Sequence, residues 1–231
     1  MTVVATHRQE SFGVRAGART TQRRGRMSPG KATALAELAP RWMLDGADGL
    51  TTALLDDAFG RWAPRLLDIG AGTGEATRHY AQAHPDQDVV AVELHRPGIV
   101  RLVRDLDRDG PASVRVVEAD ALAVIDQAEP GSYRHIRVLF PDPWPKRRHV
   151  GRRMVDPAFV RAATDLLPRG GTLHLATDWA DYADQMRACL RTDRRLGPAL
   201  EERPPRPVTA YEQRGIDAGR TIVDLVAERI S

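Results

Sequence analysis

The chain has 231 residues, 42% apolar and 28% charged, with a formal net charge of +3. That is enough apolar material for one domain with its own core, so disulfides and structural metals are not required, and the composition is not that of a disordered chain. A single cysteine, Cys189, excludes an internal disulfide and a cysteine-based zinc cluster; no apolar run is long enough to span a membrane, and no secretory signal opens the chain.

A cytoplasmic, enzyme-sized protein is the resulting expectation. Lysine occurs only at Lys31 and Lys146, so arginine carries nearly all the positive charge, a usage that a GC-rich genome explains without any function. Residues 1–30 read as a flexible basic arm, and residues 31–231 as the folded domain. Residues 1–31 carry a net charge of +6 and residues 141–153 a net charge of +4, which leaves the rest of the chain acidic. Two basic islands on an acidic body point to contact with a polyanion.

Short helical patterns follow the arm, over 30–39 and 51–60. From Arg65 onward strands and helices alternate. A strand is expected over 66–69, a helix over 74–83 and a strand over 88–92. The helix over 97–108 sets Ile99, Leu102, Val103 and Leu106 on one face. Strands follow over 114–117 and 136–140. Asp156-Pro157 is a cap and first-turn proline, opening a helix with Phe159, Ala162, Ala163 and Leu166 together. Gly170-Gly171 ends it before a strand over 172–177. Asp178 begins another helix, with Trp179, Tyr182, Ala183 and Met186 on one face. Residues 197–210 are proline-rich and irregular, and a last strand is expected over 221–230. No internal repeat is visible. The alternation predicts an α/β fold: a doubly wound, mostly parallel, Rossmann-like sheet behind an N-terminal basic arm. In such sheets ligands bind beyond the carboxyl ends of the strands.

The first strand ends in Asp68-Ile69-Gly70-Ala71-Gly72-Thr73-Gly74. Glycines let backbone approach a ligand, and the next helix offers free N–H groups. A dinucleotide fingerprint needs a glycine at the sixth position counted from Gly70, where this chain has Glu75. A pyrophosphate would meet that carboxylate, so the dinucleotide reading fails. A nucleoside without phosphate, carrying a cationic tail for Asp68 to pair, suits the loop, and S-adenosylmethionine has those properties. Glu93 at the second strand end can accept ribose hydroxyls, and Asp120 at the third can accept an adenine amino group. The competing reading is that both merely cap helices.

The fourth strand runs into Phe140-Pro141-Asp142-Pro143-Trp144-Pro145-Lys146-Arg147-Arg148-His149. Three prolines in five residues make a stiff loop carrying a carboxylate, an aromatic plane and a basic run. Such a loop can hold a flipped base against a methyl donor while the basic run grips neighbouring phosphates.

Here the chain resembles the bacterial tRNA (guanine-N7-)-methyltransferases. The likeness covers Arg23-Arg24-Gly25-Arg26, the loop over 66–74, the loop from Phe140 to His149 with Arg152-Arg153, Ala176-Thr177-Asp178-Trp179, and the segment from Arg206 to Gly215. The resemblance implies a class I methyltransferase sheet. It also implies methyl transfer from S-adenosylmethionine to a guanine of the tRNA variable loop, with no metal. Carried over by position, donor contacts fall on Asp68, Gly70, Gly72, Gly74, Glu93, Asp120 and Asp142. The family often has glutamate where this chain has Asp68, which shortens the reach. Substrate contacts fall on Lys146, Asp178, Thr209, Ala210, Tyr211 and Glu212. tRNA is the implied partner, with no membrane and no obligatory protein partner, and the chain would act as monomer or homodimer.

Guanine N7 carries a free lone pair, so catalysis by orientation and electrostatics is expected, with Asp142 central and no strict general base. The adjacent N1–H and N2–H₂ donors of guanine suit one carboxylate, either Glu212, read as lying in an irregular segment, or Asp178, which could equally be a helix N-cap. Arg23, Arg24, Arg26, Arg147, Arg148, Arg152 and Arg153 are expected on the RNA backbone. Two other readings stay open: a methyltransferase of the same fold acting on a different nitrogen, and an RNA-binding protein with a vestigial donor pocket.

Overall fold

Arg65–Ile69, buried on both faces, form β2 at the centre of the sheet. Alternation along the strand sends Leu67 and Ile69 into one core and Leu66 into the other, with Asp68 on the side of Leu66. A computed structural model describes residues 27–45 and 49–231; most of the expected basic arm, including Arg23, Arg24 and Arg26, lies outside the described residues.

The elements in chain order are α1 (Pro29–Trp42), β1 (Met43–Leu44), α2 (Thr52–Phe59), β2, α3 (Glu75–Ala83), β3 (Asp88–Glu93), α4 (Arg96–Asp109), β4 (Val114–Glu118), α5 (Ala121–Gln127), β5 (His135–Leu139), a 3-10 turn (Arg147–Arg152), α6 (Pro157–Leu166), β6 (Thr172–Thr177), α7 (Ala180–Leu190), α8 (Ala210–Asp217) and β7 (Val223–Glu228). The seven strands lie in the order β1-β4-β3-β2-β5-β6-β7, parallel except for β6 with β7. The doubly wound, mostly parallel sheet is therefore present, and the strand order reverses direction between β2 and β5. A crevice for ligand opens at that switch point.

Two cores flank the sheet. Trp42, Ile99, Leu102, Val103 and Leu106 pack from α1 and α4 on the side also covered by α3, and Phe159, Tyr182 and Met186 pack from α6 and α7 on the other. The expected apolar face of α4 is buried throughout. Asp156 caps α6, accepting from the Phe159 N–H at 2.8 Å, ahead of Pro157. Among the described residues no helix is long and apolar enough to cross a membrane.

Three expectations need correcting. α1 begins at Pro29, inside the expected limit of the arm. The helix expected from Asp178 begins at Ala180, with Trp179 at its N-cap, so Asp178 does not cap it. The irregular stretch ends at Thr209, whose hydroxyl accepts from the Glu212 N–H and so starts α8; Glu212 is helical.

Candidate active site

A cleft of about 390 Å³ opens at the switch point, walled by the residues that follow β2, β3, β4 and β5. Ile69, Val92, Leu122, Val138 and Phe140 give it apolar walls, while Gly70, Glu93, Asp120 and Asp142 bring polar groups to its edge. Size and lining suit a nucleoside-containing ligand.

The glycine loop and Glu93 form one unit. The Glu93 Oε2 accepts from the Gly72 N–H at 2.8 Å, and Oε1 accepts from the N–H groups of Leu94 and His95. A carboxylate offers about four acceptor positions, so these three bonds leave Glu93 room for one ribose hydroxyl rather than the two expected. Gly72 stands at φ 60°, a left-handed conformation. Beneath it, a Cβ on Gly98 would lie 2.7 Å from the Gly72 carbonyl oxygen, so only glycine lets α4 pass this close. Asp120 caps α5, accepting from the Leu122 N–H at 2.9 Å, while also lining the cleft. Capping α5 therefore does not take Asp120 away from the cleft.

Asp68 does not line this cleft. It sits inside β2, 3% exposed, where Arg137 donates to both its oxygens at 3.0 and 2.7 Å and the Thr77 hydroxyl donates at 2.6 Å. The expected donor contact meets competition here: the residue precedes the strand end, and three of its roughly four acceptor positions are taken by Arg137 and Thr77. Gly74 caps α3 from its left-handed conformation, where a Cβ would strike the Leu102 side chain. Glu75 accepts from the Ala210 N–H at 2.8 Å, tying α3 to the first turn of α8.

The loop after β5 is strained. Phe140 has φ 53° and Trp144 φ 43°, a region that costs a side-chain-bearing residue on the order of 1–3 kcal/mol and that clusters at functional sites. Asp142 is exposed at the cleft and makes no side-chain hydrogen bond or ion pair among the described residues. Trp144 packs edge-on to His149, with Arg152 5.1 Å over its ring. Lys146, Arg147, Arg148 and Arg152 are exposed, whereas Arg153 is only 3% exposed. The Arg153 guanidinium donates to the Pro143 carbonyl, Gln185 and Asp181, so it holds the protein, not the RNA backbone as expected.

The C-terminal segment brings Tyr211 to the same place. Its ring is 5.6 Å from that of Phe140, and burial, together with nearby Asp178 and Asp142, raises its hydroxyl pKa. Glu212 is fully buried, and both its oxygens accept from Arg203 and Arg206. Asp178 is 6% exposed and pairs with the Arg220 Nε at 2.8 Å. The expectation that either carboxylate waits for guanine meets the same obstacle in both cases, since an arginine already occupies it.

Glu212 belongs to a buried chain: Arg206 also pairs with Asp224, whose carboxylate meets the His174 Nε2 at 2.7 Å. Burial alone would raise the pKa of Glu212 and of Asp224, but their charged partners outweigh it and hold both below the ordinary range. Burial lowers His174, and Asp224 only partly restores it. All three groups hold protons less tightly than in the unfolded chain, so acid favours unfolding. Stability should be full above pH 6.5, the ordinary histidine value, fall below it as unfolded His174 gains its proton, and fall further below 4.5 through Glu212. Burial pushes His135 down to about 4, so it shares the upper part of the fall. Thermal melts across the acid range check this, and His174→Gln should remove part of that upper fall while leaving the share of His135. A Tm that is level or rising on acidification contradicts it.

Comparison with known proteins bears on what such a cleft does. A family model described as a putative methyltransferase matches residues 62–225. The chain is 42% identical over 210 residues to the tRNA (guanine-N(7)-)-methyltransferase of Alkalilimnicola ehrlichii, covering 88% of this chain and 89% of the relative. It is 38% identical over 231 residues to the protein of that name from Nitrosococcus oceani, covering 98% and 97%. The chain belongs to the tRNA (guanine-N(7)-)-methyltransferase family. Solved structures agree on the fold alone. One is a 16S rRNA methyltransferase with TM-score 0.55 and 14% identity, covering 78% of this chain and 94% of that one. Another is the 16S rRNA (adenine(1408)-N(1))-methyltransferase of Catenulisporales acidiphilia, solved with S-adenosylmethionine, with TM-score 0.51 and 17% identity, covering 79% and 92%.

Within this family frame, several structural residues went unread in the sequence. Arg137, His174 and Asp224 interrupt otherwise apolar strands, and that interruption was the available signal of buried partners. Gly98 had a signal too, as a glycine inside an otherwise well-patterned helix, where it costs about 1 kcal/mol against alanine. Glu75 had none, because its partner lies 135 residues away.

Proposed function

We propose that this chain transfers the methyl group of S-adenosylmethionine to N7 of a guanine in tRNA, forming 7-methylguanosine. The observation that carries the reading is a carboxylate, Asp142, without an ion-pair partner among the described residues, on a strained proline loop at the mouth of a nucleoside-sized cleft in a chain of this family.

Glu93 would hold a ribose hydroxyl, and Asp120 the adenine edge, with apolar walls around the base. When bound, the donor supplies an electrophilic methyl group. Guanine N7 attacks with its own lone pair, so no side chain has to remove a proton. Asp142 orients the base and offsets the positive charge that methylation leaves on the ring. Tyr211, exposed beside Phe140 and Asp142, offers an aromatic face to the base. Lys146, Arg147, Arg148 and Arg152 stand exposed along the next turn, where RNA phosphates would be gripped. The variable loop as the target is part of this proposal.

The test is to incubate purified protein with unmodified tRNA and S-adenosylmethionine, digest the RNA, and identify the methylated nucleoside by mass and retention. 7-Methylguanosine is expected. Donor binding with a different methylated nucleoside would mean another acceptor, and neither binding nor product would leave an RNA-binding protein with a vestigial cleft.

A further inference from the structure

The geometry points to Arg206 and Arg153 as paired positioning residues that clamp the transfer loop on either side of Asp142. The inference rests on the reading of Asp142 given above. Asp142 itself touches no hydrogen-bond or ion-pair partner among the described residues, so its placement is set by its backbone alone. That backbone is stiff: Pro141 and Pro143 fix their own φ, and Pro143 also restricts Asp142. A stiff segment is aimed by whatever holds its ends.

Both ends are held by buried arginines from elsewhere in the chain. Upstream, the guanidinium of Arg206 lies 5.4 Å over the ring of Phe140, the strained residue where the loop leaves β5. Arg206 is itself fixed by Glu212 and, through two bonds at 3.0 and 2.9 Å, by Asp224. The Phe140 N–H donates to the Ala176 carbonyl at 2.8 Å, so its ring, not its backbone, answers to Arg206. Downstream, the Arg153 Nε donates to the Pro143 carbonyl at 2.7 Å, its other nitrogens reach Gln185 and Asp181, and the group lies 4.7 Å over Tyr182. Neither arginine lines the cleft. Only 2% of each side chain is exposed, so neither can reach substrate. Glu212, on this account, acts through Arg206 rather than on guanine.

Lysine keeps the charge at each position but loses the planar fork. A displacement of about 1 Å at a reacting group can cost on the order of 100-fold in rate. Arg206→Lys and Arg153→Lys should each lower kcat by about 10- to 100-fold, with the KM for tRNA and donor affinity within about threefold. The deciding readout is a double-mutant cycle with Asp142→Asn. If the arginines act by aiming Asp142, adding either lysine to Asp142→Asn should lower kcat by less than about threefold further. Losses that multiply in the double variants, losses confined to KM, or no loss in the singles would each overturn the inference. Should Arg206→Lys not fold, the Arg153→Lys arm decides from the other flank. Full turnover by Asp142→Asn alone would overturn the underlying reading, and this inference with it. A crippled Asp142→Asn with multiplying arginine losses overturns this inference only.

Discussion

Replacing Asp142 with asparagine should lower kcat for tRNA methylation by about 100-fold or more, the usual cost of removing one well-placed electrostatic group. The substitution keeps the shape of the side chain, removes its charge and turns one acceptor oxygen into an NH₂ donor. Asp142 stands at the mouth of the cleft and has no cation of its own among the described residues, so its charge is available to the reaction. Methyl transfer makes the guanine ring cationic, and a carboxylate held there stabilises the transition state more than the ground state. tRNA affinity should change little, because the exposed Lys146, Arg147, Arg148 and Arg152 would carry it. Steady-state kinetics with purified tRNA separate the two effects. A variant with wild-type kcat contradicts the role.

Asp68→Ala should act on stability instead. Arg137 and Asp68 have side chains only 5% and 4% exposed, and removing one partner leaves a buried charge uncompensated. The cost should be about 3–5 kcal/mol. A second change, Arg137→Met, should recover much of that loss by removing the stranded charge. Donor affinity of the folded fraction should stay close to wild type, since Asp68 spends its oxygens on Arg137 and Thr77. Denaturant unfolding and donor titration measure the two quantities independently. Unchanged stability with much weaker donor binding would restore the direct contact that the sequence suggested.

Those two residues also mark how far the sequence could be read. The fold was legible because it lies in local patterns. The apolar face of α4, the cap at Asp156 and the run of strand and helix each follow from neighbours a few residues apart. The cleft was legible for the same reason, since Gly70, Glu93, Asp120 and Asp142 each end or follow a strand in a parallel sheet. Pairing across the chain left no local trace. Asp68 read as a strand-end ligand, and nothing nearby in the sequence showed that sheet register sets Arg137 opposite it. Glu212 read as lying in an irregular segment, but Thr209 starts a helix there and two arginines occupy its buried carboxylate. Arg153 read as one more cation in a basic run, yet its side chain turns inward to Pro143. Charge type was readable from sequence, whereas the partner of each charge was not.

In the proposed reaction the acceptor is the in-plane lone pair of guanine N7, presented by orientation alone. The most direct measurement uses tRNA in which the target guanosine is replaced by 7-deazaguanosine, with C–H in place of N7 and the N1, N2 and O6 groups unchanged. Binding should persist, because the phosphates and the other edges of the base remain, while methyl transfer at that site should vanish. Methylation of the 7-deaza tRNA at that guanosine would place the acceptor elsewhere on the base and contradict the account.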